Sequence, residues 1–238
     1  MTLLAIETST QVCSAALATD GVVVAARIDR EGGNHARQLP VFIDELIHIA
    51  RDKGLHLDAV ALSEGPGSYT GLRIGTSTAK GLCYGLNIPL VAIPTTEVLC
   101  AGAAKVESGK WKVESALCPM IDARRMEIYT ALYDTDIRPL SEIQACVIDS
   151  RDAMHNVSPS GKDVYFFGDG AAKCRELLEN EHWHLLPDIV PDAANMFGLA
   201  ARYIDEGKVY KSAAELAYYE PFYLKDFVAA KSHVKGLE

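Results

Sequence analysis

Between Glu64 and Gly75 the chain reads EGPGSYTGLRIG, with Gly65, Pro66, Gly67 and Gly71 set between the apolar run Val60–Ser63 and a segment of helical spacing from Leu72 to Leu86. Glycine reaches backbone angles closed to other residues, so the stretch reads as a strand that turns sharply into a helix. Such a unit is consistent with an α/β class, which the order of the remaining elements must decide. A helix N-terminus offers unpaired N–H groups to an anion. A P-loop, however, needs a Lys-Ser/Thr pair after its last glycine, and here Leu72 and Arg73 follow Gly71. The dinucleotide pattern GxGxxG fails too, because the spacing is GxGxxxG. On these residues alone, an anion held around Gly65, Gly67, Ser68, Gly71 and Arg73 and a purely structural turn both remain open.

The remaining periodicities place this unit in a larger plan. Leu3–Ile6, Val12–Ala18 and Val22–Ile28 are β-rich runs, the last two separated by Asp20-Gly21, and predict a three-stranded antiparallel meander. Helical spacing from His35 to Lys53 ends at Gly54, with Pro40 expected near the first turn or at a kink. A strand at Leu90–Ile93 and a helix from Thr96 to Ala104 complete β-β-β-α-β-α-β-α. The polar segment Val106–Ser115 marks a lobe boundary. Beyond it come strands Ala116–Ile121, Glu127–Tyr133, Ala145–Ile148 and Val164–Phe167, an amphipathic helix Ala193–Gly207 and an extended segment Glu220–Phe227. The expected partition is a first lobe of residues 1–105 with helix 193–207 packed back on it, and a second lobe of 106–192 and 208–238.

Composition narrows the function classes. With 238 residues, 49% hydrophobic and 23% charged, the chain is long enough for one large domain or two small lobes. No apolar run approaches the roughly 20 residues that span a bilayer, and the opening MTLLAIETST lacks a basic leader, so a cytoplasmic location is expected. The cysteines at 13, 83, 100, 118, 146 and 174 are scattered and read as buried thiols. A formal charge of −9, with basic clustering only at Lys225, Lys231, His233 and Lys235, argues that a partner holds any polyanion.

The entry LLAIETSTQVCSAAL, the loop EGPGSYTGLRIG, the segment MIDARRMEIYTALY and the late EPFYLKDF together resemble the TsaB (YeaZ) family over nearly the whole chain. The resemblance implies a two-lobed fold of the actin, Hsp70 and sugar-kinase (ribonuclease H-like) kind. It also implies a non-catalytic paralogue of TsaD in the synthesis of threonylcarbamoyladenosine at position 37 of ANN-decoding tRNAs, a family once filed with M22 glycoproteases. A TsaD-like partner, a TsaE-like ATPase in the larger complex, homodimers in the partner's absence and only indirect contact with tRNA are expected. ATP and magnesium would belong to the partner, with no cofactor required by this chain.

The catalytic paralogue holds a metal through HxxxH on the helix that here begins at His35, and four residues on stands Leu39. Glu7-Thr8-Ser9 stands where the superfamily binds a metal-bound phosphate, so Glu7, Thr8 and Ser9 join the loop residues as a vestigial nucleotide region. GDGAAKCREL, Gly168–Leu177, stands at the adenosine turn, where Asp169 would repel phosphate. His182 and His184 flank Trp183 and are expected at the surface.

Two catalytic rivals remain. An ATP-dependent small-molecule kinase would need Asp122 as base and Arg73 on phosphate. A peptidase is weaker still, since GPGSYTG does not match G-x-S-x-G. For the partner surface, the apolar residues of the first long helix cover an arc of about 160°, wider than one sheet requires. Leu39, Phe42, Ile43 and Leu46 on that helix, with the small-residue stripe Ile74, Thr78, Gly81 and Gly85 on the next, are therefore expected to receive the partner.

Overall fold

The computed structural model describes residues 1–106, 111–112, 114–158, 161–178 and 180–225. The polar boundary segment and the basic C-terminal cluster beyond Lys225 lie partly or wholly outside them. Strands β1 (Thr2–Glu7), β2 (Cys13–Thr19) and β3 (Val22–Asp29) form the expected meander. Asp20 and Gly21 turn between β2 and β3 with positive φ at both positions, the geometry for which Asp-Gly is suited. Helix α1 (His35–Asp52) leads to β4 (Ala59–Gly65), which runs parallel to β1. Helix α2 (Tyr69–Leu86) leads to β5 (Leu90–Pro94), parallel to β4. The sheet order is β3-β2-β1-β4-β5. Pro40 sits inside α1 with its ring toward solvent.

Both faces of β1, β2, β4 and β5 are covered, so these strands are buried at successive positions rather than alternating, whereas the edge strand β3 is largely exposed. Leu4, Ile6 and Leu62 face α1 and α2 through Leu39, Leu46 and Cys83. Leu3, Ala5, Ala61 and Ile93 face the opposite way, toward Val98 of helix α3 (Thr95–Val106) and the later segment Ala193–Ala200. Alanine on that second face lets helices approach closely.

The second lobe repeats the plan with β6 (Ala116–Asp122), β7 (Glu127–Thr130), β8 (Gln144–Val147), β9 (Val164–Phe167) and β10 (Trp183–Leu185), in the order β10-β9-β6-β7-β8. A short helix α4 (Arg151–Asn156) lies between β8 and β9. Leu99, Cys100 and Ala103 of α3 pack with Leu117, Ile121 and Phe167 of this sheet, so α3 is shared by both lobes. The architecture is α/β in two lobes, each a mixed five-stranded sheet with helices.

Two expectations need correction. Strand β7 ends at Thr130 rather than Tyr133. In the register that pairs Met120 with Thr130, Ala131 falls opposite Pro119, which has no N–H to give the ladder, and pairing resumes only as the bridge Leu117–Tyr133. Residues 208–219 also do not join the second lobe. Helix α5 (Phe197–Asp205) packs against β5, Tyr210 bridges Leu90, and helix α6 (Ala213–Tyr218) packs on α2, with Leu216 and Tyr219 in the first-lobe core. These apolar side chains have their complement there.

Candidate functional site

The glycine-rich loop packs directly on the turn after β1, and that contact explains its composition. A Cβ at Gly67 would collide with the carbonyl oxygen of Ser9, one at Gly71 with that of Thr8, and one at Gly75 with the Thr8 hydroxyl. Ser68 N–H donates to Ser9 O at 2.6 Å, and Thr8 Oγ1 donates to Gly71 O at 2.8 Å. Ser68 Oγ accepts from Gly71 N and caps α2, while Gly65, at φ +116°, lies against the carbonyl of Phe222. The spaces beside Gly67 and Gly71 that suggested an anion cradle are filled by the backbone of Thr8 and Ser9, and Ser68 N–H is spent on Ser9 O.

Glu7, Thr8 and Ser9 are fully buried. Glu7 Oε1 accepts from Ser9 N at 2.5 Å, while Glu7 Oε2 and Ser9 Oγ have no partner among the described residues. Burial pushes the Glu7 carboxyl above its ordinary range, opposed in part by the Ser9 N–H that it accepts.

In the second lobe the adenosine-turn analogue is closed in the same way. Gly168 and Gly170 leave no room for a Cβ beside Met120 and Ile121, and Gly170 N donates to Met120 O at 2.9 Å. Asp169 Oδ1 accepts from Asp122 N at 2.9 Å, tying this turn to the β6–β7 hairpin. Asp122, the candidate kinase base, is held by Lys173 at 2.5 Å and by Arg124 N at 2.8 Å. These residues do not fit a magnesium nucleotide. His35 opens α1 and donates through Nε2 to Val12 O at 3.2 Å, and Leu39, at the metal-ligand position, is core. His182 Nδ1 and His184 Nε2 both lie 3.2 Å from Asp163 Oδ1.

The expected partner surface divides. Leu39, Ile43 and Leu46 are buried against the chain's own sheet, which corrects their assignment. The wide arc is consumed because α1 packs on β2, β3 and α2 together. Phe42 and Ile74 are half-buried against the same core, and Thr78 Oγ1 donates to Ile74 O at 2.8 Å. Gly81 and Gly85 have nothing near a would-be Cβ, and Tyr84 and Val41 are exposed. An open α2 face remains.

Several features were not foreseen. Glu97 on α3 is buried and accepts from Arg202 Nη2 at 2.7 Å and Tyr203 OH at 2.9 Å, and Arg202 also reaches Asp136 O and Ile137 O of the second lobe. Burial raises the Glu97 carboxyl despite these partners. A cleft of about 640 Å³ beside it is lined by Pro94, Tyr133, Leu140, Ile143 and Phe222. Glu64 is pushed up to about 7 by burial, with Tyr219 OH at 3.4 Å. The S-x-x-E box at Ser212–Glu215, which caps α6, is a sequence signature of that helix's start that went unread.

The family model described as TsaD, tRNA N6-adenosine threonylcarbamoyltransferase, matches residues 27–232. The chain is 30% identical over 236 residues to the tRNA threonylcarbamoyladenosine biosynthesis protein TsaB of Escherichia coli K12, covering 97% of each. It is 29% identical to the TsaB of Bacillus subtilis, covering 76% of each. The solved structure of YeaZ from Pseudomonas aeruginosa superposes with a TM-score of 0.77 at 26% identity, covering 94% of this chain and 99% of that one. With its two lobes, closed loops and nearly full-length likeness, the chain belongs to the TsaB (YeaZ) family of tRNA threonylcarbamoyladenosine biosynthesis proteins.

Proposed function

We propose that this chain is a non-catalytic scaffold and activator subunit that pairs with a TsaD-like paralogue for threonylcarbamoyl transfer to adenosine 37 of ANN-decoding tRNAs. The observation that carries the reading is the filling of the phosphate-loop analogue by the Thr8 and Ser9 backbone, beside a buried Glu7. Chemistry and nucleotide then reside on the partner, with a TsaE-like ATPase completing the complex. The kinase rival is disfavoured by the same contacts and by the engagement of Asp122 with Lys173.

The α2 face carrying Gly81 and Gly85 is the docking element, since two open glycines one turn apart let a partner helix approach closely. Titration of the chain against a TsaD-like protein tests this. Gly81→Phe/Gly85→Phe should weaken association at least tenfold with the monomer still folded, and undiminished association would place the interface elsewhere.

A further inference from the structure

The cleft of about 640 Å³ lies where the two lobes and the C-terminal segment meet, and the scaffold reading makes no use of it. Pro94 and Glu97 enter it from the end of β5 and the first turn of α3. Tyr133, Leu140 and Glu142 come from the stretch between β7 and β8, and Phe222 from the C-terminal segment. Its volume falls within the range of small-molecule sites, roughly 300–1,000 Å³. The walls are mainly apolar, and Leu140 stays 55% exposed at the lip.

The charged groups are of one sign. Among the described residues that line the cleft, Glu97 and Glu142 are carboxylates and none is a lysine, arginine or histidine. Glu142 is exposed and forms no ion pair among the described residues. Glu97 is buried, with Oε2 accepting from Arg202 Nη2 at 2.7 Å and Oε1 from Tyr203 OH at 2.9 Å. A carboxylate has about four acceptor positions, so each oxygen keeps one. Despite both partners, burial still raises this carboxyl above its ordinary range. The cations nearby are spent, Arg202 on Glu97, Arg138 on Asp136 at 3.7 Å and Lys208 on Glu206 at 2.7 Å.

We propose that the cleft is a binding site for a small amine with an apolar body, its ammonium facing Glu97 and Glu142 and its hydrocarbon against Tyr133, Leu140 and Phe222. A second cation supplies what Arg202 leaves incomplete, because opposite charge offsets the cost of burying a carboxylate. A phosphate or carboxylate ligand would meet repulsion with no cation to answer it. Since the walls come from both lobes, the occupant bridges them.

The test titrates the full chain calorimetrically with phenylbutylamine, phenylbutanol and phenylbutyrate, which share one apolar body and differ in charge. The amine should bind one to one, at least about tenfold tighter than the alcohol, with the carboxylate weakest. Leu140→Arg sets a guanidinium at the lip on a side chain that is already largely in solvent. Its melting temperature should hold while affinity for the amine falls at least about tenfold. Glu142→Gln should weaken the amine about threefold, as suits an exposed charge, and leave the alcohol unchanged. No partner protein is present, so the outcome is independent of the scaffold reading. The proposal is overturned by a parent that binds none of the probes at millimolar concentration, by an amine no tighter than the alcohol or the carboxylate, or by parental amine affinity in either folded variant.

Discussion

Glu64 ends the apolar part of β4 and is held between Tyr219 and the backbone of the C-terminal segment, where Phe222 N donates to its carbonyl at 2.8 Å. Its carboxyl titrates at about 7, against an ordinary value of 4.5, because burial penalises the charged form. A proton is therefore bound more tightly by the folded than by the unfolded chain. The resulting stability is fully present below about 4.5 and is lost as pH rises through 7. Glu64→Gln keeps an acceptor for Tyr219 and removes the charge, so at pH 8 it should stabilise the fold by up to about 3 kcal/mol. Chemical denaturation at pH 4 and pH 8 would check this, the gain vanishing at the lower pH. Nothing in the sequence distinguished Glu64 from a solvated loop acid, because its environment is made by Tyr219, 155 positions away.

At the scale of elements, the glycine loop and α2 hold glycines of opposite kinds. Gly71 is pressed on the Thr8 carbonyl, a backbone atom that cannot rotate aside, whereas Gly81 faces open space. Gly71→Ala should cost about 1–3 kcal/mol, the range of overpacked core sites. Gly81→Ala should instead stabilise by about 0.5–1 kcal/mol through helix propensity, and urea unfolding of the two variants would separate them. The strand-turn-helix unit was legible from glycine spacing, since a strand meeting a helix this tightly demands it. What the glycines face was not, because Thr8 and Ser9 approach from another strand. Similarly, the apolar arc of α1 was read from its spacing, but its use against β2, β3 and α2 depended on three neighbours rather than one. The failure of β7 to continue past Thr130 was in principle readable at Pro119, once β6 and β7 were known to be partners.

In the whole molecule, α3 lies between the two sheets, Arg202 joins Glu97 to the carbonyls of Asp136 and Ile137, and Lys225 reaches Glu127 from the C-terminal segment. These contacts knit the two lobes to each other. Two lobes were legible because each begins with antiparallel strands and continues into helices. The return of residues 208–219 to the first lobe was not, since a six-residue helix carries too short a pattern to show which sheet covers it. If the molecule contributes shape rather than chemistry, its α2 face should matter more than its buried acid. The direct measurement is threonylcarbamoyl transfer to an ANN-decoding tRNA by the reconstituted TsaD-like complex containing Glu7→Gln or Gly81→Phe/Gly85→Phe. The scaffold reading predicts near-parental transfer with Glu7→Gln and at least a tenfold loss with the folded double variant. Abolished transfer with a stably folded, partner-bound Glu7→Gln, and unimpaired transfer with the double variant, would contradict it.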